Sequence, residues 1–439
     1  MKKTMIMLGL ALIHLTVAAQ QKQWTLGECI DYALEHNISV QQSKLNVDQK
    51  EIDLNTAEGR RLPGVSASSS ESVSFGRGLT ADNTYTNSNT SSTSFSLGMD
   101  VPVFQGFQIS NSIKMGKLDL EMAMMDLAKA KDDIRVAVAQ AYVQILYNQE
   151  LLKVAQAQTE HDRMLLEQMQ ARQEIGKASE ADLAAQRATL AQSVVNLTQA
   201  EANLNIAVLD LTQLLELPSP EGFAIVAPQS EDFATDLLMS PEDIYARAEG
   251  IKPAVLSAKL ALDRADIAIA SAKGAFLPSL SLSAGLGSNY YTTSKMNYGT
   301  FGEQMRNNFS QYIGLSLNIP IFSRFATRNN LRSAKLNRTN QALQVENVKK
   351  ALYKEIQQAY YNALNSQVKY KSSGEARNSA QAHYQLTEEK YLNGKAGIAE
   401  YNDAKNNFLR AESDLLRSRY ECLFQTRLLD FYKGEDIVF

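Results

Sequence analysis

The stretch KGAFLPSLSLSAGLG, residues 273–287, contains the pattern that decides the fold. Pro278 disfavours helix for the residue before it, so the helical run that precedes it is predicted to end at Leu277. Beyond the proline, leucine and alanine alternate with serine and glycine. This period of 2 is typical of a β-strand with one apolar face. The chain is therefore expected to change from helix to strand at the Leu-Pro pair.

Three landmarks of this chain occur twice. The pairs are Leu62-Pro63 with Leu277-Pro278, Val101-Pro102-Val103-Phe104 with Ile319-Pro320-Ile321-Phe322, and Gly176-Lys177-Ala178 with Gly394-Lys395-Ala396. The offset is 215 residues for the first pair and 218 for the other two. Such a tandem duplication predicts two copies of one structural unit. The three-residue difference falls between the proline landmarks, which indicates a surface loop there.

The N-terminus has the features of a secretory signal. Lys2 and Lys3 precede an apolar run, and Val17-Ala18-Ala19 fits a small-residue cleavage site. Cleavage there would move the formal charge from −4 to −6, with 42 basic against 48 acidic residues. A mildly acidic exported protein without a basic stripe is a poor nucleic-acid binder. No later segment approaches the roughly 18–20 apolar residues of a membrane-spanning helix.

The repeat predicts the domain organisation. A signal peptide at 1–19 is followed by a first structural repeat at 20–220, an inter-repeat segment at 221–239, a second repeat at 240–434 and a C-terminal tail at 435–439. Each repeat begins with helix, at Thr25-Leu26-Gly27-Glu28 or Ser240-Pro241-Glu242-Asp243. Two strands follow, near 63–75 and 94–104 in the first repeat and near 278–291 and 310–322 in the second. Each repeat then ends with a long helical hairpin.

The segments that flank the strands are of two kinds. Residues 76–93 and 292–309 are rich in Asn, Ser, Thr, Gly and Tyr, which indicates exposed hairpin loops. At the opposite strand ends, two pairs of aromatics fit either an interfacial girdle or packing at a strand-to-helix junction. They are Phe104 with Phe107 and Phe322 with Phe325.

Residues 108–217 and 326–433 are almost free of proline and rich in good helix formers. A glycine near the middle of each block predicts a hairpin of two very long helices. A helix over residues 108–172 would extend about 100 Å. No globular domain needs that length, so the hairpins are expected to pack as coiled coil.

Four amphipathic strands per chain are too few to close a barrel. In lipid an open sheet edge is forbidden, because its amides and carbonyls would have no partner. If the strands form a membrane wall, the chain must oligomerise. Two chains would give a filled barrel of eight strands, and three would give twelve strands with a pore. Alternation alone favours a half-buried antiparallel sheet in a soluble domain over a membrane wall.

This layout of helix, strands and helical hairpin, given twice with the Leu-Pro and Pro-x-Phe landmarks, resembles the TolC family of outer-membrane efflux proteins. The most specific match is residues 394–404, GKAGIAEYNDA, which align without a gap to the family's hairpin turn and entrance gate. The resemblance implies an α+β membrane protein: a homotrimer with a 12-stranded outer-membrane β-barrel, continued by a long periplasmic α-helical coiled-coil barrel. It also implies a periplasmic adaptor and, through it, an inner-membrane pump as partners. The protein would then be the exit duct of a tripartite efflux or type I secretion system in a Gram-negative cell.

The resemblance also implies site residues. Glu400 and Asp403 match two entrance aspartates of the family, and three copies would place six carboxylates in a cation-attracting ring. Tyr391 and Asp182 match a tyrosine–aspartate tether between the hairpins. A second tether of the family is missing, because its positions are Ala396 and Ala181. The turns Gly176-Lys177-Ala178 and Gly394-Lys395-Ala396 are the expected adaptor contacts.

Each of these assignments has a structural alternative. Glu400 and Asp403 also fit a solvated acidic pair, and the turn glycines are explained equally well by helix termination. The alternative for the whole chain is a periplasmic coiled-coil adaptor or scaffold. Catalysis finds no support, since His36, His161 and His383 lack metal-ligand spacing. We therefore expect no enzyme activity, no cofactor and no metal.

The two cysteines, Cys29 and Cys422, leave two readings open. An exported location permits a disulfide between them, and their composition also fits two small buried hydrophobes.

Overall fold

The computed structural model describes residues 23–79, 84–227, 238–294 and 297–438. The predicted signal peptide lies outside these residues, as does the middle of the predicted inter-repeat segment. The chain forms two compact units, and each takes segments from both predicted repeats. We call them the helical unit, with the described parts of Met1–Gln42, Ala128–Ile251 and Ala351–Phe439, and the sheet unit, with Ser43–Leu127 and Lys252–Lys350.

The elements follow one another along the chain in this order: β1 (Gln23–Trp24), α1 (Leu26–His36), α2 (Ile38–Gly59), β2 (Gly64–Ser74), β3 (Arg77–Leu79), β4 (Tyr85–Asn87), β5 (Thr90–Gln105), α3 (Gln108–Glu174), α4 (Glu180–Leu214), β6 (Ala224–Ile225), α5 (Pro241–Ile251), α6 (Pro253–Gly274), β7 (Ser279–Thr293), α7 (Phe301–Asn307), β8 (Ser310–Asn318), α8 (Ala326–Leu392) and α9 (Ile398–Lys433). Among the described residues, no helix has the length and apolar character needed to cross a membrane.

The capping signals predicted from the sequence are formed. The Thr25 hydroxyl accepts a hydrogen bond from the Glu28 N–H, and the Glu28 carboxylate accepts one from the Thr25 N–H. Ser240 accepts from the Asp243 N–H in the same way at α5. The helical run at the start of each repeat is divided into two helices, α1 and α2 in the first repeat and α5 and α6 in the second. These two breaks were not predicted from the sequence. The second break falls at Lys252, where Pro253 disfavours helix for the preceding residue.

The four long strands form one antiparallel sheet in the order β2-β5-β7-β8. Strands β2 and β7 begin directly after the two Leu-Pro pairs, and α2 and α6 end three residues before those leucines. The predicted strand at 310–322 is too long, because β8 ends at Asn318. Asn318 lies opposite Ser279, the first residue of β7, so β8 has no partner strand beyond it.

The two predicted loops contain additional structure. In the first, β3 pairs with β4 as a short antiparallel ribbon, and β5 already begins at Thr90. In the second, β7 extends to Thr293, and α7 replaces part of the loop. The amide of buried Gln304 on α7 accepts a hydrogen bond from the Tyr291 N–H and donates one to the Tyr291 carbonyl. This contact fastens α7 to the end of β7.

The core of the helical unit is built from α1, α3, α4 and α9. Val138, Tyr142 and Leu146 of α3 are buried there with residues of the other helices. The Tyr142 hydroxyl donates to the carbonyls of Trp24 and Val226 and so ties the β1–β6 pair to α3. The predicted C-terminal tail takes part as well, since Ile437 belongs to the same core.

Both cysteines are buried as thiols and do not form a disulfide with each other. Cys29 lies in the core of the helical unit. The reading of two small buried hydrophobes is therefore confirmed.

The two strand-to-helix junctions have the same backbone conformation. Phe107 and Phe325 both have positive φ, 63° and 65°, directly before the helices α3 and α8. Phe104 packs edge-to-face on Phe107, and Phe322 does the same on Phe325, with centroids 5.2 and 5.6 Å apart. Phe107, Phe322 and Phe325 nevertheless remain exposed.

Candidate gate and hairpin tips

All the candidate site residues lie in the helical unit, around the ends of the two hairpins α3–α4 and α8–α9. At the first tip, the Lys177 N–H donates to the Arg172 carbonyl, and at the second, the Lys395 N–H donates to the Lys390 carbonyl, both over 2.7 Å. These bonds are the terminating pattern of a helix that ends with a left-handed residue.

Gly176 and Gly394 supply that residue, each with φ of 72°. A side chain would be strained in this conformation, so helix termination alone accounts for both glycines. The predicted adaptor contact at these tips stays a prediction. Lys177 and Lys395 are both exposed beside the glycines and present a positive charge at each tip.

Asp182 has a local role that the sequence analysis did not assign. Its carboxylate accepts hydrogen bonds from the Ser179 N–H and hydroxyl, over 3.3 and 2.6 Å, and forms the capping box of α4. The described structure contains no hydrogen bond between Asp182 and Tyr391. Asp182 nevertheless affects Tyr391 electrostatically. Burial raises the pKa of Tyr391, the positive charge of Arg172 lowers this pKa, and the negative charge of Asp182 raises it.

Glu400 and Asp403 lie in the first two turns of α9 and are both exposed. Their spacing of three residues puts them on neighbouring positions of one helix face. Within the described residues, neither carboxylate has a hydrogen-bond or ion-pair partner. Glu400 also lies where the helix dipole favours a negative charge, so a purely local role is compatible with its position.

Between these two acids, Tyr401 turns inward and is fully buried. Its hydroxyl lies 2.9 Å from His161 Nε2 and 3.2 Å from the Tyr384 hydroxyl. Tyr384 in turn donates to the Glu388 carboxylate over 3.0 Å. The ring of Tyr391 stacks on that of Tyr401, with centroids 4.9 Å apart. This cluster joins α3, α8 and α9 directly behind the predicted gate.

A buried ion pair lies one turn further along α9. Lys405 Nζ contacts the carboxylate of Asp162 on α3, and their side chains are 3% and 0% exposed. The same carboxylate accepts hydrogen bonds from Gln158 Nε2, over 2.8 Å, and from the Ser193 hydroxyl on α4. Gln186 Nε2 donates to the Asp162 carbonyl over 3.3 Å. The ion pair and the hydrogen bonds of Asp162 therefore connect α9 of the second hairpin to both α3 and α4 of the first hairpin.

Burial dominates the electrostatics of this region. It raises the pKa of Tyr384 to about 12, although the hydrogen bond with Tyr401 lowers it. Burial also raises the pKa of Tyr401, and the hydrogen bond with Tyr384 adds to the rise. Burial lowers the pKa of Lys405, against the attraction of Asp162, because the ammonium group loses its hydration.

Asp162, Lys405 and Tyr384 were not predicted as site residues from the sequence, where His161 is only one of three scattered histidines. One signal could have found Asp162: it follows buried Thr159 by three residues and precedes buried Met169 by seven, a coiled-coil core spacing. No comparable pattern in the sequence identifies Lys405 as the partner of Asp162. In the described part of the chain, no group of three or more His, Cys, Asp and Glu side chains could hold a metal ion.

Comparison with known proteins gives a consistent result. The model of the family "Outer membrane efflux protein" matches residues 29–216 and 244–434. The outer membrane protein TolC of Escherichia coli K12 is 25% identical over 96% of this chain and 84% of its own length. The probable efflux pump outer membrane protein TtgC of Pseudomonas putida KT2440 is 23% identical over 95% of this chain and 85% of its own.

Solved structures share the fold. A membrane protein from Pseudomonas aeruginosa superposes with a TM-score of 0.78 at 18% identity and covers 93% of each chain. The Campylobacter jejuni CmeC outer membrane channel gives 0.77 at 19% identity, over 93% of this chain and 85% of its own.

Proposed function

The chain belongs to the outer membrane efflux protein family, and from this membership we propose that three copies form the exit duct of a tripartite efflux system. The protein resides in the outer membrane of a Gram-negative cell. One relative is named as a probable efflux pump outer membrane protein and one structural neighbour as an outer membrane channel, so the activity proposed for this chain is conduction and not catalysis. The proposed trimer would close twelve strands into a barrel, with the helical hairpins on the periplasmic side.

One observation carries the assembly of several copies: in the described part of the chain, the sheet is amphipathic and its two edge strands have no further partner. Strand β8 exposes Ile313, Leu315 and Leu317 by 77, 67 and 61% on the face that alternates with Gly314, Ser316 and Asn318. β2 is the other edge strand and is exposed along its whole length. A water-soluble scaffold has no use for such a surface, whereas a lipid-facing barrel wall needs it.

The test is extraction followed by reconstitution. Envelopes that contain the protein are washed with high salt and then with detergent, and the purified protein is weighed by native mass spectrometry and inserted into planar bilayers. We expect release only by detergent, the mass of three chains and ion conductance. Release by salt alone as a monomer would favour the periplasmic scaffold and overturn the proposal.

For the gate, we propose that Glu400 and Asp403 of three copies form a ring of carboxylates at the periplasmic entrance. The support is their exposure on one face of α9, where neither carboxylate has a partner among the described residues. A ring of this kind attracts cations, repels anions and offers a site for divalent cations. The buried cluster around Tyr401 holds the backbone between the two acids and so fixes their positions.

We propose Tyr391 and Asp182 as a gate tether, and the support is the electrostatic contribution by which Asp182 raises the pKa of Tyr391. The substitution Tyr391→Phe tests it, because the capping box of α4 stays intact. A functional tether predicts a higher conductance in bilayers. Unchanged conductance would leave Asp182 with its capping role alone.

The remaining partners follow from the same proposal. The tips Gly176-Lys177-Ala178 and Gly394-Lys395-Ala396 would contact a periplasmic adaptor, which connects the duct to an inner-membrane pump. Lys177→Glu with Lys395→Glu should weaken copurification of the adaptor and leave the trimer mass unchanged. Lys129→Glu, at an exposed lysine of α3, is the matched control.

A further inference from the structure

The apolar face of the sheet changes character towards the loop ends of the strands. On β5 this face is apolar from Phe104 to Phe95, and it continues with Thr93 and Ser91. The apolar part measures about 30 Å along the strand at roughly 3.3 Å per residue. At the strand tilt of about 40° in an outer-membrane wall, this length corresponds to a height of about 23 Å, close to the apolar band of about 25 Å that such walls present to lipid. The level of Phe95 therefore marks the boundary of the proposed lipid-facing band at the loop ends.

The helix α7 lies on the apolar face at this level. Ser288 is the β7 residue opposite Phe95, and its hydroxyl donates to the Met305 carbonyl of α7 over 2.7 Å. The ring of Phe301, the first residue of α7, packs against the rings of Phe95 and Tyr290, with centroids 6.5 and 5.2 Å apart. Because Phe95, Ser288 and Tyr290 belong to the same face, α7 is on the side of the sheet that carries the leucines.

α7 also takes the place of a strand at the edge of β7. β8 pairs with β7 only as far as Gly287, whereas β5 continues beside β7 to its end. Beyond Gly287, the Gln304 amide binds the N–H and the carbonyl of Tyr291, and Asn308 Nδ2 donates to the Asn289 carbonyl over 2.7 Å. Backbone groups at a sheet edge need such partners where water is excluded. The contact of α7 with β7 is therefore compatible with a place at the edge of the hydrocarbon.

The side chains of α7 divide by polarity. Phe301 and Met305, four residues apart, share the side of the helix next to the apolar sheet face. Glu303 and Arg306, three residues apart, are exposed on another side, where the Glu303 carboxylate accepts a hydrogen bond from the Thr300 N–H. Phe301 remains 50% exposed even after it has packed on the sheet. Aromatic residues on one side of a helix and charges on another are typical of a helix that lies in a membrane interface.

An open groove extends the apolar face beside α7. Its volume is about 520 Å³, and its apolar lining comes from Phe95, Leu97, Leu286, Met305 and Phe309. Phe309, directly before β8, is 56% exposed. None of the residues that line the groove is charged. Because the groove continues the proposed lipid-facing surface, hydrocarbon is the occupant that fits it.

We propose that α7 is an interfacial helix, which lies at the boundary between hydrocarbon and headgroups in the outer leaflet of the membrane. Phe301 and Phe309 are in contact with acyl chains, and Glu303 and Arg306 lie among the headgroups. This inference rests on the proposed function, because it needs the apolar face of the sheet to contact lipid. It adds a second membrane contact that does not belong to the strands.

Quenching of tryptophan fluorescence by lipid tests the inference. Trp24 is the only tryptophan of the chain, so Phe301→Trp adds one reporter, and the unsubstituted protein supplies the blank. The purified protein is reconstituted into phosphatidylcholine vesicles whose acyl chains carry bromine either close to the headgroup or close to the bilayer centre. Native mass spectrometry verifies that each variant still assembles.

Ile313→Trp and Tyr312→Trp are the matched controls. These neighbours on β8 are both exposed, Ile313 on the apolar face near the middle of the band and Tyr312 on the opposite face. We expect Phe301→Trp to lose emission mainly to bromine close to the headgroup, and Ile313→Trp mainly to bromine close to the bilayer centre. Tyr312→Trp should keep its emission in both kinds of vesicle.

The other outcomes separate the inference from the proposed function. If Ile313→Trp is quenched but Phe301→Trp keeps its emission, or loses it mainly to bromine at the bilayer centre, α7 is not interfacial and the proposed function stands. An unquenched Phe301→Trp with a native mass above three chains would assign α7 to a contact between assemblies, which also overturns the inference. If Ile313→Trp keeps its emission, or Tyr312→Trp loses as much as Ile313→Trp, the sheet is not a wall with one lipid-facing side, and the proposed function fails together with the inference.

Discussion

Lys405 on α9 contacts the carboxylate of Asp162 on α3, and this ion pair joins the two helical hairpins inside the helical unit. Both side chains are buried, and the Asp162 carboxylate is further held by Gln158 and Ser193. A buried pair of this kind need not add net stability, because each charge has lost its hydration. Its removal from one side, however, leaves the other charge buried and unpaired.

The first prediction concerns this coupling. Asp162→Leu and Lys405→Met should each destabilise the protein by about 3–5 kcal/mol, because either leaves one buried charge uncompensated. The double variant should lose much less than the sum of the two. Chemical unfolding in detergent, followed by circular dichroism, completes the double-mutant cycle.

The exposed pair Lys129–Asp133 on α3 is the matched control, and its removal should change stability little. If the stability lost in the Asp162→Leu/Lys405→Met variant equals the sum of the losses in the two single variants, the two charges act independently.

The second prediction concerns alkaline pH. Burial raises the pKa of Tyr384 from 10.0 to about 12. Between these values the unfolded chain releases the phenolic proton and the folded chain keeps it, so stability falls as pH rises from 10 to 12. Tyr384→Phe should make this fall shallower. The comparison is the midpoint of unfolding at pH 9, 10 and 11.

Tyr361→Phe serves as the control for this effect, because that ring is 62% exposed. Equal alkaline slopes in both variants would contradict the assignment of the pH dependence to Tyr384.

The third prediction concerns the close contact at the end of α6. Gly274→Ala places a methyl group on the Gly106 carbonyl, so the backbone must move, and we expect a loss above about 1 kcal/mol. Gly27→Ala, in α1, meets no atom within 4 Å and should cause no loss. Thermal unfolding of both variants decides the point: equal melting temperatures would mean that the junction adapts without strain.

The fourth prediction concerns the proposed gate. Glu400→Ala with Asp403→Ala should abolish the cation preference and the block by divalent cations in planar bilayers, because the ring loses its negative charge. Glu201→Ala, at an exposed acid of α4, should leave both properties unchanged. Retention of selectivity and block in the double variant would assign Glu400 and Asp403 to a solvated helix surface.

Several local features followed directly from the sequence. The capping box at Thr25, the left-handed glycines 176 and 394 and the start of β7 after Pro278 each depend on a few adjacent residues. The sequence-based predictions were wrong where contact with another segment of the chain decides the local structure. β8 ends at Asn318 because its partner strand ends, and α7 forms in an apparent loop because Gln304 can bind the backbone of Tyr291.

The sequence by itself determined the long helices, the existence of the four long strands and that the chain carries its pattern twice, because propensity, proline and period act over a few residues. The tertiary structure alone decided that Asp162 meets Lys405, 243 residues away, and that Asp182 caps α4 without a hydrogen bond to Tyr391. Burial and ion pairing depend on which helices pack together, and in a long coiled coil of similar residues many alignments satisfy the same apolar pattern. Only the folded chain selects the alignment that encloses a charge with its counterion.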